Sequence, residues 1–105
     1  MKMIRCIVRP EKEHEVVKNL EKSGFTALTK LDVLGRGKQK GITVGSAKYD
    51  VLPKTMFMLV VEDDEVPQAL HAFKTGAHTG NPGDGKIFIT EVEEAITIRT
   101  RAKTL

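Results

Sequence analysis

From Lys2 to Arg9, apolar and polar residues alternate with a period of two. Ile4, Cys6 and Val8 fall on one face, with Arg5 and Arg9 on the other, which predicts a strand. Pro10 ends it and can open a helix. The segment Glu11 to Ser23 carries acids in its first turn and Val16, Val17 and Leu20 at helical spacing; Gly24 is a natural stop. Ala27 to Leu34 reads as a second strand, closed by Gly35. Between Gly35 and Pro53 the periodicity disappears, and a loop of that length inside a compact domain is usually functional or disordered. Thr55 to Val61 (TMFMLVV) is continuously apolar, as in a central strand. Asp64 can cap a second helix with Pro67 in its first turn. Val66, Ala69, Leu70 and Phe73 form its buried stripe, and Gly76 is its expected end. A glycine-rich turn leads into a strand from Lys86 to Thr90. Ala95 to Arg101 reads as a last strand, with Ile96 and Ile98 inward and Thr97, Arg99 and Arg101 on the opposite face.

A weak repeat relates the two halves. Shifted by 52 positions, Ile7-Val8 meets Leu59-Val60, Val17 meets Ala69, Lys22 meets Lys74 and Gly24 meets Gly76. Each half is strand, helix, strand. Two such units predict an α+β, ferredoxin-like βαββαβ antiparallel sheet with both helices on one face, and a bare opposite face that invites oligomer packing. The 105 residues suffice for one domain, 1–105, with a loop over about 37–53.

A net charge of +3 can serve nucleic acid, a membrane surface or a phosphorylated small molecule. With no Trp, one Tyr and four Phe, stacking platforms for nucleic acid are scarce. The cations sit beside glycines instead, which suits a discrete anion. A single cysteine, Cys6, fits a reducing compartment and reads as a packed thiol. No apolar run reaches 18 residues and no signal-peptide core stands at the N-terminus, so a cytoplasmic protein without membrane insertion is expected.

Three segments carry candidate chemistry. Gly80 to Lys86 matches the G-x4-G-K core of a Walker phosphate loop as text. Ile87 stands where Ser or Thr should hold magnesium, and a strand follows in place of a helix, so this is no P-loop NTPase. The glycines can still turn N–H groups toward a phosphate beside Lys86; the alternative is a plain turn before a strand. Gly35-Arg36-Gly37-Lys38-Gln39-Lys40-Gly41 interleaves glycines with cations and allows close backbone approach to an anion, or is a solvated basic loop. Arg99 and Arg101, on one side of the expected last strand, could fork onto phosphate oxygens or be solvated. His14, His71 and His78 are scattered over helix surfaces and ends, and no nucleophile–base pair stands out.

Together these segments resemble the PII nitrogen regulatory proteins along essentially the whole chain. The resemblance is carried by Lys2 to Pro10 (KMIRCIVRP), Gly35 to Gly41 (GRGKQKG), Leu52-Pro53-Lys54, Thr79 to Phe88 (TGNPGDGKIF) and Ile96 to Thr100 (ITIRT). It implies a compact homotrimer that is a regulatory binding protein and not an enzyme, with ATP or ADP in clefts between subunits. A protruding loop, about Lys38 to Val51, would contact partners. By matching positions, Gly83, Asp84, Gly85 and Lys86 would cradle the phosphates. Thr29, Gly35, Gly37 and Lys38 would complete the nucleotide pocket, and Arg99 would enter from the neighbouring subunit. Gln39 would ligate a Mg²⁺ shared by ATP and 2-oxoglutarate. The keto acid would be wrapped by Gly37, Gln39, Lys40 and Gly41, with Lys54 on its distal carboxylate.

The chain departs from the family pattern at Lys38 for the usual Arg, Met58 at an acidic position and Thr97 for one of two paired arginines; Arg101 could compensate for the last. The loop is about four residues short, and Tyr49 sits near its base, so uridylylation is not expected. GRGKQKGITVG and YDVLPKTM look most like the nitrogenase-associated branch of methanogenic archaea and some anaerobes. That branch works with a second PII-like paralogue to inhibit dinitrogenase, and 2-oxoglutarate with ATP relieves the inhibition. Rival readings are a PII protein controlling an ammonium transporter, a slow ATPase and a metal-binding trimer of similar fold.

Overall fold

The computed structural model describes residues 1–37, 42–49 and 51–105. Strand β1, Lys2–Val8, leads through a short 3-10 turn at Pro10–Lys12 into α1, Glu13–Lys22. Then come β2, Thr29–Gly35, and the short strands β3, Ile42–Val44, and β4, Ala47–Tyr49. Strand β5, Leu52–Val61, enters α2, Val66–Ala77, through a 3-10 turn at Asp63–Glu65, and β6, Lys86–Glu91, follows.

Four strands form one antiparallel sheet in the order β2-β5-β1-β6, which is the expected ferredoxin-like arrangement. Alternation decides the faces. Ile4, Cys6, Val8, Phe57, Leu59 and Val61 point to the helices and meet Val16, Leu20, Ala69 and Phe73 in one core. Phe57 and Phe73 lie at its centre, with ring centroids 6.4 Å apart. Burial pushes the Cys6 thiol up to about 12, so it is a packed, unreactive thiol. The register places Met3, Arg5, Ile7, Met56, Met58 and Val60 on the opposite face, where all are half-buried, with Phe88 of β6 47% exposed beside them.

Four details differ from the sequence reading. The segment between β2 and β5, expected to be loop throughout, contains the β3–β4 hairpin, paired Ile42 to Tyr49 and turning at Gly45, φ +60. Gly24 does terminate α1 with φ +88, but Gly76 does not end α2. It lies inside the helix, where a Cβ would come 2.7 Å from the Cα of Val16, so its role is close helix packing. The carboxylate of Glu65 accepts the backbone N–H of Glu62 at 3.0 Å, and that pair, not Asp64, ties the entry to α2.

The last difference concerns the C-terminus. Ala95 to Arg101 forms no strand; Thr97 bridges Ala102, and the chain closes on itself through Arg101 at φ +61. Ile98 is 92% exposed, not inward. A period-two pattern makes a strand only where an edge accepts it, and no neighbour pairs with this segment among the described residues.

Candidate functional site

The turn from Thr79 to Gly85 is built by its glycines and one carboxylate. Gly80, Gly83 and Gly85 adopt φ of +88, +98 and +111, conformations that side-chain-bearing residues rarely reach. Asp84 folds back into the turn: one oxygen accepts the N–H of Thr79 at 2.7 Å and of Gly80 at 2.8 Å, and the other accepts the Thr79 hydroxyl. Gly85 is pressed against β1, where a Cβ would fall 1.7 Å from the carbonyl oxygen of Ile7. The N–H groups of Gly83, Asp84 and Gly85 find no acceptor among the described residues, so they remain free for an anion.

The sheet register supplies the cations. Residues paired between β1 and β6 run from Lys2–Glu91 to Ile7–Lys86, and between β1 and β5 from Lys2–Val61 to Val8–Thr55. Continued past the strand ends, both ladders put Lys54, Arg9 and Asp84 in one rung across the open face. The contacts agree. Arg9 donates through Nε to Asp84 at 3.2 Å and through Nη2 to the Pro82 carbonyl at 2.7 Å, while Lys54 Nζ donates to the Gly83 carbonyl at 2.8 Å. Lys54 keeps two further N–H donors. Lys86, two residues along the same face, is exposed.

These contacts give Asp84 a structural role. Asp84 accepts from donors within the turn and from Arg9, so it shapes the turn. The Thr79 hydroxyl, then the Thr79 and Gly80 N–H groups and Arg9, hold its carboxyl well below the ordinary carboxylate range, against the opposing effect of burial. A depressed folded-state pKa contributes stability above the unfolded value, and this is lost as pH falls. Thermal melts of Asp84→Asn should therefore lie below wild type at neutral pH, with the gap narrowing progressively below about pH 4. A gap independent of pH would contradict this role.

Other expected site residues distribute as follows. Gly35 ends β2 and adjoins Lys54; a Cβ there would meet its Cγ at 3.4 Å. Gly37 is exposed just beyond β2. Lys38, Gln39, Lys40 and Gly41 lie outside the described residues. Thr29 is on the open face of β2, three strand spacings from β6, roughly 14 Å. Arg99 and Arg101 sit in the C-terminal turn and not on one face of a strand, and they make no hydrogen bond to the glycine turn. Arg9 was missed by sequence reasoning. Its signal was an arginine between a strand and a proline, facing an aspartate once the β1–β6 register is known.

A cavity of about 720 Å³ opens between α2 and the β1–β6 pair, lined by Cys6, Val8, Phe73, Ala77 and Ile87 and bordered by Asp84 to Lys86. It lies on the helix side of the sheet, behind the rung of cations. Among the described residues, no group of three His, Cys, Asp or Glu is placed to hold a metal ion, and no helix is long and apolar enough to cross a membrane.

The chain that builds this glycine turn has relatives of known family. The sequence model of nitrogen regulatory protein P-II matches residues 1–102. The chain belongs to the P-II family. Within it, this P-II chain is 58% identical over 102 residues to nitrogen fixation nifHD region glnB-like protein 1 of Methanococcus maripaludis, covering 97% of both chains. It is 55% identical over 105 residues, the whole of both chains, to the protein of that name from Methanobacterium ivanovii. Nitrogen regulatory protein P-II 2 of Methanothermobacter thermautotrophicus is 44% identical over 104 residues, covering 95% of this chain and 90% of the relative. The nitrogenase-region branch expected from the loop sequences is thus the one the relatives' names carry.

Proposed function

We propose that this P-II protein is a trimeric, non-catalytic nitrogen sensor that binds ATP or ADP with Mg²⁺ and 2-oxoglutarate, and inhibits dinitrogenase when fixed nitrogen is plentiful. One observation carries the ligand reading: the Lys54–Arg9–Asp84 rung beside the free N–H groups of Gly83 to Gly85. A triphosphate and a dicarboxylate crowd together only where cations and N–H dipoles offset their repulsion, and this sheet end supplies Lys54, Lys86 and the turn's N–H groups. The described residues fit the phosphates. Asp84 in the turn already accepts from Thr79, Gly80 and Arg9, so in this reading Mg²⁺ is held by Gln39 and by ligand oxygens. Thr29 and Lys86 stand on opposite edges of the sheet, which supports a pocket that draws them from two protomers, and the open, half-apolar sheet face suits such packing.

The target reading rests on the nifHD-region names of the relatives. In this mechanism, Mg-ATP and the keto acid hold the segment around Gly37 to Gly41 in one shape, and loss of the keto acid releases another that fits the enzyme, a shift limited by the ligand's differential affinity. Lys54 is the discriminating residue. Lys54→Ala should weaken 2-oxoglutarate about 30-fold or more and ATP several-fold at most, by calorimetry, because only the keto acid loses its charged partner. Equal losses for the two ligands would argue against the assignment.

A further inference from the structure

We propose that Arg9 is a positioning residue that holds the Thr79–Gly85 turn in its phosphate-accepting shape without touching the phosphates itself. The inference rests on the nucleotide reading above. One planar guanidinium grips the turn at two points, Asp84 through Nε and the Pro82 carbonyl through Nη2. Gly83 lies against the same group; a Cβ there would come within 3.2 Å of Nη2. The arginine backbone is anchored, since its carbonyl accepts the Lys12 N–H at 3.0 Å and Pro10 fixes the next residue.

The charge balance separates Arg9 from a ligand-binding arginine. Its guanidinium faces a carboxylate already filled by Thr79 and Gly80, so its charge is spent on Asp84. Lys54, by contrast, donates to a neutral carbonyl and retains charge for a ligand. Removing Arg9 would have two effects. The turn would lose the clamp that fixes the carbonyl of Pro82, and an unneutralised carboxylate would stand beside the incoming phosphates. Lysine can replace the charge but offers one nitrogen where Arg9 uses two, Nε on Asp84 and Nη2 on Pro82.

A double-mutant cycle with Mg-ATP calorimetry on the full chain tests this. Arg9→Ala should weaken ATP roughly 10- to 100-fold, and Arg9→Lys should recover part of that loss. Asp84→Asn should also weaken binding, but the double variant should bind no worse than Arg9→Ala, because both changes act through one contact. Slow hydrogen exchange of the Ile4 to Val8 amides would confirm that each variant is folded. Wild-type affinity in folded Arg9→Ala, or losses that simply add in the double variant, would overturn the inference and leave the nucleotide reading standing. A wild-type protein that ignores ATP would overturn that reading, and this inference with it.

Discussion

Replacing Gly85 with alanine should lower the melting temperature by roughly 15 °C and abolish measurable ATP binding. Two independent costs meet at this position. A φ of +111 is a conformation an L side chain adopts only under strain, about 1–3 kcal/mol by itself. The added Cβ would also overlap the backbone of Ile7, 1.7 Å from its oxygen and 2.7 Å from its carbonyl carbon. Ile7 cannot retreat, because β1 is interior and Ile7 is paired with both Met56 and Lys86. The turn must therefore leave the sheet and take the free N–H groups of the site with it. Gly83→Ala, which meets only the end of the Arg9 side chain, should cost less stability. A Gly85→Ala protein melting within 2 °C of wild type, or binding ATP normally, would contradict the described turn.

Gly76→Ala should destabilise the protein by about 2–3 kcal/mol, reversing the usual sign for a helix interior. Alanine in place of an exposed helical glycine normally gains about 1 kcal/mol through backbone entropy. Here a Cβ would lie 2.7 Å from Cα and 2.9 Å from N of Val16, and 3.0 Å from the carbonyl of Glu15. All three are backbone atoms of α1, so the helices must move apart. That movement opens gaps around Val16, Leu20, Ala69 and Phe73, which are fully buried. Denaturant melts decide the sign: a stabilised Gly76→Ala would mean the two helices are further apart than described.

What was legible in the sequence follows from where the physics is local. Strand β1, α1 and α2 were readable because each buries a face whose spacing the apolar residues record directly, and β5 because a continuous apolar run marks a central strand. The glycine turn was readable because three of its residues need positive φ, which glycine alone supplies freely. Gly76 misled because a glycine at a helix end and a glycine under a helix crossing look identical in one dimension; the 52-residue repeat equated it with Gly24, whose φ of +88 makes it a true stop. Ile96 and Ile98 misled because alternation says nothing about whether an edge is available to pair with. Arg9 was hidden for a related reason. Its role depends on the β1–β6 register, a long-range property that places residues 9 and 84 opposite each other only after the sheet has formed. The hydrogen bonds of Asp84 were not readable either, since a carboxylate in a phosphate-type turn can face ligand or turn, and here it accepts from Thr79, Gly80 and Arg9.

In the proposed function the glycine turn and the Lys54 rung form one joint site for nucleotide and keto acid. Calorimetric titration of 2-oxoglutarate into the purified protein, with and without saturating Mg-ATP, tests it most directly. Heat and saturable binding are expected with Mg-ATP, and little or none without it. Equally tight binding of 2-oxoglutarate to the nucleotide-free protein would contradict it.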